Sequence, residues 1–170
     1  MTIAVVVGNP KPASRTLASA LYVARELAGE PDLVVDLATV GPALLDWSDA
    51  GVADLVAQVG TADLVVVASP TYKSSYTGLL KLFLDRFAAD TGLSGLAVPL
   101  MLGGGPAHAL APEYTLRPIL AELGATVPGR ALYVLDSAHE DDASYRPWLD
   151  AIRPFVTAYL ESNRESRTTA

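Results

Sequence analysis

Apolar residues fall into two kinds of stretch along this chain. Short runs that are apolar at successive positions alternate with longer stretches in which apolar residues recur at three- and four-residue intervals. "TIAVVVG" (Thr2–Gly8) and "ADLVVVASP" (Ala62–Pro70) lack a polar face, so each predicts a strand buried on both sides. "LVVDL" (Leu33–Leu37), "LAVPLMLGG" (Leu96–Gly104) and "ALYVLD" (Ala131–Asp136) complete a set of five. Pro99 counts against the fourth, because it brings no ladder donor. Between the strands, Ser14–Ala28 carries Leu17, Ala20, Leu21, Ala24 and Leu27 on one stripe and predicts a helix. Val52–Val59, Gly78–Ala89, Pro112–Leu123 and roughly Ser144–Ser162 predict further helices.

Buried strands alternating with helices imply an α/β fold with a five-stranded parallel sheet covered on both faces. No linker or internal repeat divides the chain, so residues 1–163 form one expected domain and residues 164–170 a polar, mobile tail. Ligands of such sheets bind outside the carboxyl ends of the strands, where the strand order reverses. That directs attention to the loops after strands one, three and four.

Composition narrows the chemistry. The chain has 170 residues, 51% hydrophobic and 18% charged, which suits one domain with a real core. A net charge of −7 with no block of Lys and Arg argues against general nucleic-acid binding. It leaves room for a small anion, which a few local donors can hold. There is no Cys, which excludes disulfides, thiolate catalysis and Cys-based metal sites, and two isolated His give no metal-ligand spacing. No apolar run is long enough to span a membrane, and the N-terminus has no signal-peptide layout. The expectation is a soluble cytoplasmic protein.

The first loop, "GNPKPASRT", runs from Gly8 into the start of a helix. A helix N-terminus carries unpaired N–H groups and partial positive charge. Ser14 and Thr16 add hydroxyls, and Arg15 adds a guanidinium fork that matches phosphate. Ser14 alone is equally well explained as an N-cap. The spacing is neither G-x-G-x-x-G nor G-x-x-x-x-G-K-[ST], so dinucleotide and triphosphate motifs are absent.

The second loop, "SPTYKSSYTGLLK", places Pro70, Tyr72, Tyr76 and small hydroxyl residues at a strand end. A flat polar ring needs such backbone edges and aromatic surface. Lys73 offers positive charge beside a ring that turns anionic on reduction, or is a solvated loop lysine. The third loop, "GGGPAHALAPEYTLRPIL", starts with three Gly that leave backbone open to a flat ligand. His108 beyond them reads as a loop or cap residue before a catalyst. Pro118 deprives the Tyr114 carbonyl of its helical donor, so the helix either kinks or widens into a π-turn.

Taken in order, these three loops resemble the NADPH-dependent FMN reductase family of flavodoxin-like proteins. Within it they look most like the small reductases that feed reduced flavin to sulfonate monooxygenases. The likeness runs from strand one to about Asp136. It implies a flavodoxin-like three-layer sandwich, FMN and NADPH as cofactors, hydride transfer from nicotinamide to flavin, a partner monooxygenase, and a homodimer or homotetramer. Carried over residue by residue, Ser14, Arg15 and Thr16 would hold the FMN phosphate. Pro70, Thr71, Tyr72 and Lys73 would line the ribityl chain and one ring edge, and Gly103, Gly104 and Gly105 would give backbone contacts to the ring. Tyr114 would lie on a π-helix at a subunit interface and gate FMN exchange. Thr71 and Lys73 stand where many relatives carry Glu and Asn, which favours the sulfonate-type branch. An FMN-retaining quinone or azo reductase, or a flavodoxin-type electron carrier, is the alternative.

Overall fold

The computed structural model describes residues 1–168. Five strands, β1 (Ile3–Val7), β2 (Leu33–Asp36), β3 (Leu64–Pro70), β4 (Leu96–Gly103) and β5 (Leu132–Leu135), form one sheet in the order β2-β1-β3-β4-β5. All four pairings are parallel. The helices are α1 (Arg15–Leu27), the single turn α2 (Leu37–Val40), α3 (Ala50–Gly60), α4 (Gly78–Leu84), α5 (Arg117–Glu122) and α6 (Arg146–Thr168). This is the expected flavodoxin-like sandwich. Strand order reverses between β1 and β3, which puts the ligand crevice of such a sheet above their carboxyl ends.

Alternation along the strands builds two cores. Ile3, Val5 and Val7 pack with Val66 and Leu100 against α1 and α6, where Val23, Leu27, Leu149 and Val156 close the layer. Ala4, Val6, Val65 and Val67 point the other way, onto Val52, Leu80, Phe83 and Leu120. Because both faces are covered, β1 and β4 are buried at every position and β3 at all but its last, which is why the inner strands read as continuous apolar runs, whereas the edge strands β2 and β5 are half-buried.

Pro99 is accommodated by register. It pairs with Val67 of β3, and β5 begins its pairing only at Leu100. Two residues earlier, Ala97 N–H donates to the Thr126 carbonyl on the β5 side. Donors alternate sides with a period of two, so Pro99 turns its missing donor to that side, ahead of β5.

Helix starts follow local caps. Asp49 accepts from Val52 N–H at 2.8 Å and starts α3 two residues ahead of the expected Val52. Conversely, α4 stops at Leu84, short of the expected Ala89, and Arg86 N–H returns to the Phe83 carbonyl in a tight turn. α6 runs past the expected Ser162 and takes in Arg164–Thr168 of the expected tail, whose last positions, 169–170, lie outside the described residues. Among the described residues no helix is long and apolar enough to cross a membrane.

Candidate functional site

At the carboxyl ends of the strands lies a cavity of about 450 Å³, inside the size range of small-ligand sites. All three singled-out loops reach it; buried polar groups brace the first two from beneath, and the half-buried Tyr133 and Glu113 hold the third.

After β1, Gly8 N–H continues the ladder to the Ala68 carbonyl at 2.8 Å. Gly8 passes so close to α4 that a Cβ on it would lie 2.3 Å from Leu80 Cβ. Ser14 caps α1, its Oγ accepting from Leu17 N–H at 3.2 Å. The cap leaves the hydroxyl hydrogen and the N–H groups of Arg15 and Thr16 facing the end of the helix. Thr16 is buried, and its Oγ1 accepts from Asn9 Nδ2 at 3.0 Å, while Asn9 Oδ1 accepts from Lys11 N–H at 2.9 Å. Ala13 takes a left-handed φ of 49° and donates its N–H to Asp36 Oδ2 at 3.0 Å. Asn9, Lys11, Ala13, Ser14 and Arg15 thus wall one side of the cavity.

After β3, the buried Ser69 hydroxyl accepts from Thr77 N–H and donates to the Pro70 carbonyl. Thr77 caps α4 and donates to the Gly8 carbonyl at 2.5 Å, tying the second loop to the first. Thr71 N–H extends the ladder to Leu102, yet its Oγ1 is buried without a hydrogen-bond partner at the cavity wall. Such an orphan costs on the order of 1–3 kcal/mol and is relieved by any polar ligand that reaches it. Tyr72 and Ser75 exchange backbone hydrogen bonds around Lys73 and Ser74, both left-handed at φ 53° and 65°. Two L-residues in that region are strained, so the tight turn is held by its surroundings.

After β4, Gly103 sits under Tyr133, whose hydroxyl would lie 2.0 Å from an added Cβ. Tyr133 donates to the Gly105 carbonyl at 2.6 Å, and burial pushes its hydroxyl pKa up. Gly104 is exposed, and a Cβ there would meet nothing within 4 Å.

Of the sequence-predicted residues, the cavity brings together Ser14, Arg15, Pro70, Thr71, Tyr72, Gly103 and Gly104. Thr16, Lys73, Gly105 and Tyr114 are outside its lining. Thr16 lies beneath it, Lys73 is at an exposed turn, and Gly105 is held by Tyr133. His108 is exposed on a short 3₁₀ turn away from the wall. Asn9, Lys11, Leu102 and Asp136 also line the cavity and were not singled out. Asp136 was reachable in principle, since the strands are parallel and every carboxyl end, that of β5 included, faces the same edge.

The widened turn is present. Pro112–Leu116 is π-helical, and Arg117 N–H donates to the Pro112 carbonyl five residues back. Thr115 Oγ1 also donates to the Ala111 carbonyl at 2.7 Å, and Glu113 accepts from Ala131 N–H at 2.8 Å, which docks the turn on β5. Tyr114 points outward at 73% exposure, beside the exposed Leu110.

Fold and site define a parallel α/β protein with a crevice at the carboxyl ends of its strands, walled by the capped start of α1 and by the ends of β3 and β4. A family model described as NADPH-dependent FMN reductase matches residues 1–140, and the chain belongs to that family. It is 31% identical to the FMN reductase (NADPH) of Escherichia coli K12, over 86% of this chain and 79% of the relative. It is 31% identical to the NADH-dependent FMN reductase SfnE of Pseudomonas putida, over 71% and 69%. Among solved structures, the apo form of the NADH:FMN oxidoreductase EMOB superposes with a TM-score of 0.82 at 32% identity, covering 92% of this chain and 89% of that one.

Proposed function

We propose that the protein is an NAD(P)H-dependent FMN reductase that takes FMN into this cavity as an exchangeable substrate and delivers it reduced to a flavin-dependent monooxygenase. Family membership supports the reaction. The observation that supports the site is one cavity wall joining the capped start of α1 to the orphaned Thr71 hydroxyl and the open Gly104 backbone.

In this assignment the N–H groups of Arg15 and Thr16, the Ser14 hydroxyl and the Arg15 guanidinium take the phosphate, with Lys11 close by. Thr71 Oγ1 takes a ribityl hydroxyl. Pro70, Tyr72 and the Gly103–Gly105 backbone flank the ring, and Lys73, one residue past Tyr72, lends positive charge at that edge. When bound, FMN supplies a ring that accepts hydride from a nicotinamide. The chain's own residues bind and orient, and an open cavity leaves one ring face free for the nicotinamide to stack. No side-chain acid or base is needed for hydride transfer. Tyr114, exposed on the π-turn, is assigned to a contact with a second copy of the chain, from which it governs FMN exchange.

The test is steady-state NADPH oxidation with and without added FMN. A colourless protein with saturable dependence on FMN is expected. A yellow protein whose rate ignores added FMN would mean a retained flavin and a different acceptor.

A further inference from the structure

Arg15 does not face the cavity as a free cation. Its Nη1 is paired with Oδ2 of Asp136, 121 positions away along the chain. Both side chains line the cavity and keep substantial exposure, 59% and 42%. Asp136 is the first residue past β5 and opens a 3₁₀ turn. Its carbonyl lies 3.1 Å from His139 Nδ1, so the backbone that presents the carboxylate is anchored. The other acid close to the first loop, Asp36, caps α2 and holds Ala13 N–H, and it is not part of the wall.

We propose that Asp136 is the residue that sets how weakly this cradle holds a phosphate monoester: a built-in competitor for Arg15. The proposal rests on the assignment of the FMN phosphate to the start of α1. Without ligand, the Asp136 carboxylate neutralises the guanidinium. An entering phosphate must take Arg15 from that carboxylate, and it then shares the cavity with a like charge. Both effects act on the phosphate and neither acts on the ring. Asp136 therefore lowers the affinity for FMN while leaving that for riboflavin, which has no phosphate, unchanged. For a protein that must release its flavin, a competing carboxylate fixed at the cavity wall speeds departure without loosening the ring contacts. Asp136 acts through Arg15 and by charge, so it is a positioning and specificity residue.

Asp136→Asn keeps the side chain's shape and removes its charge. Dissociation constants for FMN and riboflavin are read by fluorescence quenching at low salt and again at about 0.5 M salt. The variant is expected to bind FMN about fivefold tighter at low salt, the scale of a well-placed exposed ion pair. Riboflavin should stay within about twofold, and the FMN gain should shrink in high salt because exposed charges are screened there. Asp136→Glu, which keeps the charge, should keep the wild-type ratio of FMN to riboflavin affinity. Unchanged or weaker FMN binding in Asp136→Asn overturns the proposal, since Asp136 would then merely hold Arg15 in place. Equal tightening of FMN and riboflavin overturns it too. Arg15→Ala separates this failure from that of the underlying assignment. If Arg15→Ala weakens both flavins alike, the phosphate assignment fails and the Asp136 proposal with it. If Arg15→Ala weakens FMN alone while Asp136→Asn gains nothing, only the Asp136 proposal is lost.

Discussion

On the β1–β3 side of the cavity Thr16, Ser69 and Thr77 are buried and hydrogen-bonded beneath loop tips that are exposed at 10–13 and 72–74, whereas after β4 the chain runs exposed from Pro106 to Leu110 with no such buried polar group beneath it among the described residues. Thr16, Ser69 and Thr77 are each at most 4% exposed; Thr16 and Ser69 brace their own loops, through Asn9 and Thr77 N–H, and Thr77 ties the second loop to the first at Gly8. The third loop has its anchors at its two ends, through Tyr133 on Gly105 and Glu113 on the β5 edge. Tight packing on one side and slack on the other is what a site needs if it grips a ligand by its anionic end and lets the ring come and go. The contrast also explains why glycines at the two sides mean different things. Gly8 is there because Leu80 leaves no room, and Gly104 is not crowded at all.

The largest expected effects test that contrast directly. Gly8→Ala forces a methyl against Leu80, with a backbone atom 3.0 Å away and therefore little scope for relief. It should cost about 2–3 kcal/mol of stability, as overpacking does, read from urea unfolding midpoints. Gly104→Ala should change stability by less than about 0.5 kcal/mol. Equal losses at the two positions would show that the sides are packed alike. Next in size is Thr77→Ala, which removes the α4 cap and the tie to Gly8 together. A loss of about 1–3 kcal/mol is expected, with Thr77→Ser restoring most of it.

The same contrast marks what the sequence could and could not reveal. The inner strands are legible because burial on both faces leaves unbroken apolar runs, and Pro99, which counts against β4 in the sequence, is accommodated by its register ahead of β5. The widened turn was legible from Pro118, since a missing donor in a helix has few remedies, although proline alone did not choose between kink and π-turn. At the start of α1, the residue types of "SRT" raise the expectation of an anion. They did not show that Arg15 is already paired, because Asp136 meets it only through the order of strands in the sheet. Gly103 was expected to open backbone to a ligand, and the structure adds a packing reason, the Tyr133 ring that lies against it. No local pattern announces that contact.

Smaller effects are expected in binding. If the exposed Arg15 fork addresses only the phosphate, Arg15→Ala should weaken FMN about tenfold, near 1.4 kcal/mol, and leave riboflavin almost unaffected. Thermal unfolding should barely move, since the pair it breaks lies at the surface.

The smallest change in stability should come from the slack side. Tyr114 is 73% exposed and its hydroxyl makes no hydrogen bond among the described residues, so Tyr114→Ala should alter unfolding free energy by less than about 0.5 kcal/mol. Its consequence should be functional instead. A large aromatic held outward on a π-turn has no partner within the chain's own core, and the turn that presents it is pinned by Glu113 and Arg117, so its orientation is set rather than accidental. If a second copy of the chain covers it and it governs flavin exchange, the alanine variant should emerge from purification yellow and lose turnover of added FMN. The absorbance spectrum of the purified protein, taken beside its NADPH oxidation rate, decides the matter. A colourless variant with wild-type turnover would leave the π-turn a packing device of the third loop, and control of exchange would then rest with the charges around Arg15.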